Sequence, residues 1–82
     1  MISGRVYAQF DHGEPYISGA AIEAREADGT KRLTVSDGEG FYRLAVRPGP
    51  ISITASKRGY EAETSRWMLF EDTILNFGLN PL

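Results

Sequence analysis

The sequence predicts an all-β chain of seven short antiparallel strands folded as a two-sheet sandwich, and three observations carry that prediction. Apolar and polar residues alternate with a period of two through seven segments, as in strands half-buried against a core. Turn signals rich in Gly, Pro and Asp recur about every eight to twelve residues, the spacing of a small sandwich. No stretch carries a convincing helical period. The one helical candidate, Ile22 to Ala27, is short and alternates cleanly.

The first strand runs from Ile2 to Gln9, with Val6 and Ala8 on one face and Arg5, Tyr7 and Gln9 on the other. A polar loop follows, Asp11-His12-Gly13-Glu14-Pro15, and Pro15 has no N–H to give a central ladder. Gly19 to Glu26 alternates again, with small Ala20, Ile22 and Ala24 inward and charges outward. Asp28-Gly29 is a hairpin signal, because both residues tolerate positive φ. Lys31 to Ser36 places Leu33 and Val35 together, and Asp37-Gly38 repeats the turn signal.

Ser36 to Tyr60 is the stretch around which the rest is arranged. Tyr42, Leu44 and Val46 share one face against Phe41, Arg43, Ala45 and Arg47. Beyond Arg47-Pro48-Gly49-Pro50, Ile51, Ile53 and Ala55 share a face again. Pro48 presets φ for the first corner of a type II turn and Gly49 supplies the positive φ of the second, so a hairpin is expected here. Polar Glu61 to Thr64 leads to a compact apolar strand, Arg66 to Phe70. Glu71-Asp72 breaks it, and Thr73 to Leu79 closes the chain with Leu75, Phe77 and Leu79 on one face.

Composition bounds what such a chain does. Its 82 residues suffice for one small domain, expected over 1–82 and cut from something longer. Nine basic residues are scattered among eleven acidic ones, for a net charge of −2. That lacks the basic stripe of a nucleic-acid binder. Without cysteine there is no disulfide or thiol chemistry. No apolar run reaches the length of a membrane span, and MISGRVYAQF lacks the apolar segment of a signal peptide.

Gly4-Arg5-Val6 followed by Ile17-Ser18-Gly19-Ala20-Ala21-Ile22 resembles the opening of carboxypeptidase regulatory-like domains. Thr34-Val35-Ser36-Asp37, Gly40-Phe41-Tyr42-Arg43-Leu44, Pro48-Gly49 and Gly59-Tyr60 continue that pattern in order, and Leu75-Asn76-Phe77-Gly78-Leu79 is similar to the final strand. The resemblance covers nearly the whole chain. It implies a seven-stranded antiparallel Greek-key sandwich of the transthyretin-like (prealbumin-like) kind. It also implies an accessory module, mostly non-catalytic, in secreted, cell-surface or periplasmic proteins. Related Cna-B-type domains carry an internal Lys–Asn isopeptide bond. Here the first strand offers Arg5 and no lysine, so no such crosslink to Asn76 or Asn80 is expected.

The candidate functional residues are few. His12, the only histidine, stands with Asp11 and Glu14 in a turn-rich loop and reads as solvated. No Gly-x-Ser-x-Gly or comparable device is present, so no catalytic residue and no cofactor is assigned. Asp37-Gly38-Glu39-Gly40 lacks the further oxygen ligands of an EF-hand and reads as a turn, so no metal is assigned. Arg66-Trp67-Met68-Leu69-Phe70 exceeds what one sandwich face needs. Trp67 and Leu69 bury more area and are expected in the core. Met68 and Phe70 then fall outside beside Phe41, as a docking surface for a neighbouring domain, a protein partner or a second subunit. Tyr60 is expected to pack at a sandwich corner. The alternative is a polysaccharide-binding module using Tyr16, Tyr60 and Trp67 as a stacking platform, since related sandwiches include starch-binding ones. On the no-metal reading a chelator leaves the melting temperature unchanged, and a clear drop reopens Asp11, Glu14, Asp37 and Glu39 as ligands.

Overall fold

A computed structural model describes residues 1–9 and 15–82, so the expectations for Asp11, His12 and Glu14 lie outside the described residues. Eight strands follow in order: β1 Ile2–Ala8, β2 Ala21–Arg25, β3 Lys31–Val35, β4 Phe41–Leu44, β5 Gly49–Ser56, β6 Glu63–Leu69, β7 Thr73–Ile74 and β8 Phe77–Leu79. One sheet runs β3-β2-β5-β6 and is antiparallel throughout. In the other, β1 lies between β4 on one side and β7 with β8 on the other. The all-β sandwich is as expected, with two departures. The closing segment is two short strands instead of one, and both pair with β1 in parallel.

The core lies between the sheets and follows the predicted alternation. Ile2, Val6 and Ala8 of β1 are buried with Ile22 and Ala24 of β2, Tyr42 and Leu44 of β4, and Ile51, Ile53 and Ala55 of β5. Leu69, Phe77 and Leu79 close it. The side chains alternate because a strand turns successive Cβ atoms to opposite faces.

β1 is pinned along its length by the closing segment. A Cβ on Gly4 would collide with the Leu75 carbonyl, so only glycine admits the approach. Leu75 donates its N–H to the Ser3 carbonyl at 2.8 Å. One residue on, the Asn76 side chain takes the place of a ladder carbonyl, its Oδ1 accepting the Arg5 N–H at 2.9 Å. The pairing thus resumes at Val6 with Phe77 in an unbroken register. The Tyr42 hydroxyl donates to the Leu75 carbonyl, and its ring packs against Phe77 at 6.1 Å between centroids. Asn76, one of the two asparagines weighed for a crosslink, is therefore held by the backbone of Arg5.

Three expectations are corrected. The Pro48-Gly49 turn does not close a hairpin. β4 pairs with β1, β5 pairs with β2 and β6, and the turn carries the chain from one sheet to the other. Asp37-Gly38 does the same between β3 and β4. Turn chemistry sets the local bend, and it does not say whether the flanking strands bond to each other or face each other. Of the two Asp-Gly signals, only Asp28-Gly29 joins a ladder pair, β2 with β3. There Asp28 Oδ1 accepts the Thr30 N–H at 2.9 Å, and that bond, foremost, holds the Asp28 carboxyl below its usual range.

Leu33 and Val35 do lie together, but on the outer face, where Leu33 is 71% exposed. Their β2 partners Glu23 and Ala21 also face out. Nor do all the charges of the second strand point outward. Glu26 continues the inward series of Ala20, Ile22 and Ala24 and is buried. Its Oε2 accepts the Arg47 N–H at 2.7 Å and sits 3.5 Å from Arg32 Nε. That bond secures the start of the crossover to β5, consistent with the tendency of buried carboxylates to be partnered.

The alternation is tested by a pair of truncations. Ile53→Ala empties a fully buried position and should cost about 2–5 kcal/mol in urea unfolding. Leu33→Ala should change stability by no more than about 0.5 kcal/mol. Equal effects would mean that the faces of the sheet are misassigned.

Candidate functional site

The outer face of the β3-β2-β5-β6 sheet is read from its register. One cross-strand row holds Leu33, Glu23, Thr54 and Thr64, and the two threonine hydroxyls meet at 2.9 Å. The next row holds Lys31, Arg25, Ser52 and Arg66. Beyond it Pro50 pairs with Met68. A shallow groove of about 460 Å³ follows these last rows, with Arg25, Arg66, Trp67 and Met68 among its walls. Lys31 lies 3.8 Å from Glu23. Among the described residues, neither Arg25 nor Arg66 has an acidic group within 4.0 Å.

The expected Arg66–Phe70 surface is assembled only in part. Met68 is 49% exposed and Phe70 81% exposed, as the outward pair should be. Leu69 is buried, as its core assignment requires. Trp67 departs from that assignment. It shares Leu69's parity and pairs with buried Ile51, yet it is 46% exposed. Among the described residues β6 is the last strand of its sheet, and the facing sheet ends in the short β7 and β8. The inward positions of this edge strand are therefore only partly covered. Trp67 thus joins Met68 and Phe70 as exposed apolar surface.

Phe41 is exposed, as expected, but lies apart from Met68 and Phe70. It sits on β4 in the other sheet, opposite Arg5. There the Arg5 guanidinium lies 4.0 Å from the Phe41 ring centre and 3.4 Å from that of Tyr16, so two rings share one cation. Arg5 Nε also donates to the Glu39 carbonyl at 3.1 Å. Tyr16 joins that sheet through a single bridge to Tyr7. Tyr60 packs against the core and bridges to Pro81, as its corner role requires. Tyr16, Tyr60 and Trp67 therefore occupy three separate parts of the molecule and are not assembled into one platform.

Two buried polar residues are structural: Ser36, which was assigned no role from the sequence, and Glu26, which was expected to point outward. Buried Ser36 donates its hydroxyl to the Ile17 carbonyl at 2.6 Å and accepts the Ala20 N–H at 2.9 Å, tying the end of β3 to the turn before β2. Nothing in a lone serine signals this. Glu26 did carry a signal, because the alternation of its own strand pointed it inward. In the Asp37 turn, Oδ1 accepts the N–H groups of Glu39 and Phe41 at 2.9 and 3.0 Å, the local bonding expected of an aspartate turn.

The family model for the carboxypeptidase regulatory-like domain matches residues 1–79. The chain belongs to this family. No curated protein matches it. Among solved structures it is similar to GBS52, the minor pilin of Streptococcus agalactiae, with a TM-score of 0.79 and 12% identity, covering 99% of this chain and 44% of the pilin. It is also similar to the Bacillus anthracis TIE protein, with a TM-score of 0.68 and 12% identity over 99% of this chain and 16% of that one. A third neighbour is the Klebsiella pneumoniae 5-hydroxyisourate hydrolase, with a TM-score of 0.69 and 13% identity over 100% of this chain and 92% of the hydrolase. At these identities the likeness is one of fold. This regulatory-like domain spans less than half the length of the pilin and of the TIE protein.

Burial pushes the Tyr42 phenol up to about 12 from its ordinary 10.0. Since the folded value is the higher, the contribution is fully present below pH 10 and declines toward pH 12, where the folded phenol also ionises. Tyr42→Phe should remove that alkaline decline in chemical unfolding followed against pH. It should also cost about 1–3 kcal/mol at neutral pH, from the unpaired Leu75 carbonyl. A decline that persists in the variant would assign it to another group.

Proposed function

We propose that this domain is a non-catalytic structural module that docks a neighbouring domain or a protein partner through edge strand β6. One observation carries the reading. Among the described residues β6 is laddered on one side only, and the exposed Trp67, Met68 and Phe70 gather on it and just beyond its end. A free strand edge offers backbone donors and acceptors to a partner, and apolar side chains beside it supply the burial that makes docking favourable. Membership of a regulatory-like family and the pilin-like fold support a module of this kind. The hydrolase neighbour has the same fold, and function resides in sites grafted on a fold. In this chain buried Ser36, Tyr42 and Glu26 are bonded to backbone as structural ties. The dispersal of Tyr16, Tyr60 and Trp67 gives the polysaccharide alternative no comparable support.

Amide hydrogen exchange tests the reading. The β6 amides should be more protected in protein recovered in its native context than in the isolated chain at low concentration. Met68→Ser/Phe70→Ser should abolish the difference and move the melting midpoint by less than about 4 °C. No difference in protection at β6 would overturn the docking role, and a large loss of stability would place the pair in the core.

A further inference from the structure

The two edges of the antiparallel sheet are built differently. β3 presents Lys31 at its start, and a lysine so placed guards an edge against pairing. β6 has neither lysine nor proline. Its register with β5 sets Thr64, Arg66 and Met68 on the outer face, opposite Thr54, Ser52 and Pro50. Trp67 turns to the other face and is still 46% exposed, because among the described residues no strand lies beyond it. The cross-strand row through Arg66 runs Lys31, Arg25, Ser52, Arg66 and so stops at the unpaired edge on a cation. Lys31 has Glu23 at 3.8 Å, but among the described residues Arg25 and Arg66 have no acidic group within 4.0 Å. Opposite charges facing each other across a ladder stabilise it and like charges destabilise it. The residue that best continues this row is an acid.

We propose that β6 takes an antiparallel, acidic strand from outside this domain, and that this strand sets a carboxylate opposite Arg66. This rests on the docking reading of β6 and names the chemistry of its partner. The other positions of the incoming strand follow from the faces of β6. An apolar residue belongs opposite Met68, and a second belongs opposite Trp67, whose open side it covers. A small residue fits opposite Ser65 and a threonine opposite Thr64, where Thr54 and Thr64 already meet hydroxyl to hydroxyl. A second copy of this domain does not supply the acid. Paired residues share a face, so a two-fold antiparallel pairing within β6 sets Arg66 against Thr64, itself or Met68. Glu63 lies on the opposite face, level with buried Ala55. Among the described residues the other edge strands, β3, β4, β7 and β8, contain no acidic residue. The attraction is between exposed charges, so it guides the choice of partner and weakens with salt.

A tethered strand tests this directly. Leu82 donates its N–H to the carbonyl of Gly59, shortly before β6 in the chain, so a probe appended after Leu82 starts near that strand. A flexible Gly/Ser linker of about fifteen residues reaches about 20 Å, close to the length of β6, and holds the probe at millimolar effective concentration. The probe is Leu-Val-Glu-Ser-Thr, and its control has lysine in place of the glutamate. The glutamate probe should protect the β6 amides from exchange at least about fivefold more than the lysine probe, and high salt should narrow the difference. It should also move the emission of Trp67, the only tryptophan, to shorter wavelength. Arg66→Gln should diminish the preference and Arg66→Glu should reverse it, with melting curves showing that each variant is folded. Equal protection by the two probes, including none by either, overturns the proposal, and so does a glutamate preference that survives Arg66→Glu. Protection of β6 that rises with concentration in the chain without a probe assigns the edge to a second copy and overturns it too. If β6 is nonetheless protected in the native context, the docking reading stands and its partner has another chemistry.

Discussion

The close approach of the Leu75 carbonyl to Gly4 is the constraint on which the rest of the sandwich depends. Among the described residues β1 is the only strand of its sheet with partners on both sides, and it has them because the closing segment lies against it without a side chain between. The Asn76 carboxamide substitutes for a ladder carbonyl where the backbone bends away, so the register survives the break between β7 and β8. The Leu75 carbonyl freed by the bend is taken by Tyr42, whose ring then packs on Phe77. Backbone geometry, one amide and one phenol thus fix the placement of three strands. Each buried polar group involved is bonded, as a small core requires.

Most of the fold was legible in the sequence, because the period of two follows from strand geometry alone. Tyr42 and Leu44, or Ile51 and Ile53, could be assigned to the core without knowing what they touch. Their strand partners were not legible. Pro48-Gly49 bends the chain equally well between strands of one sheet and between two sheets, and long-range pairing decided the matter. The parallel pairing of the last strands with β1 was hidden for the same reason.

The candidate surface was half legible. Alternation separated Met68 and Phe70 from Leu69 correctly, but it could not tell that β6 is an edge, and Trp67 is exposed for that reason. Phe41 could not be placed either, since its partners Arg5 and Tyr16 come from distant parts of the chain. Residue type announced an aromatic, and topology decided whether it faced a cation, a core or solvent. The same topology makes the two sheets unequal. One outer face carries an arginine clasped by rings, and the other carries a basic row beside an edge that is unpaired among the described residues.

The partnership of β1 with β8 joins positions 71 apart, and it sets a timetable for synthesis. As the domain is synthesised, β1 emerges before the other strands described here and is the last of them to be satisfied. Until Thr73 to Leu79 emerge, its far side has nothing to bond, while the β2–β3 hairpin completes early from neighbouring residues. Such distant pairing places the domain among the slow folders, in milliseconds to seconds, since loop-closure entropy is lost before the contact forms. The waiting strand is apolar on one face, so a nascent chain stalled before residue 73 would expose a segment that chaperones bind.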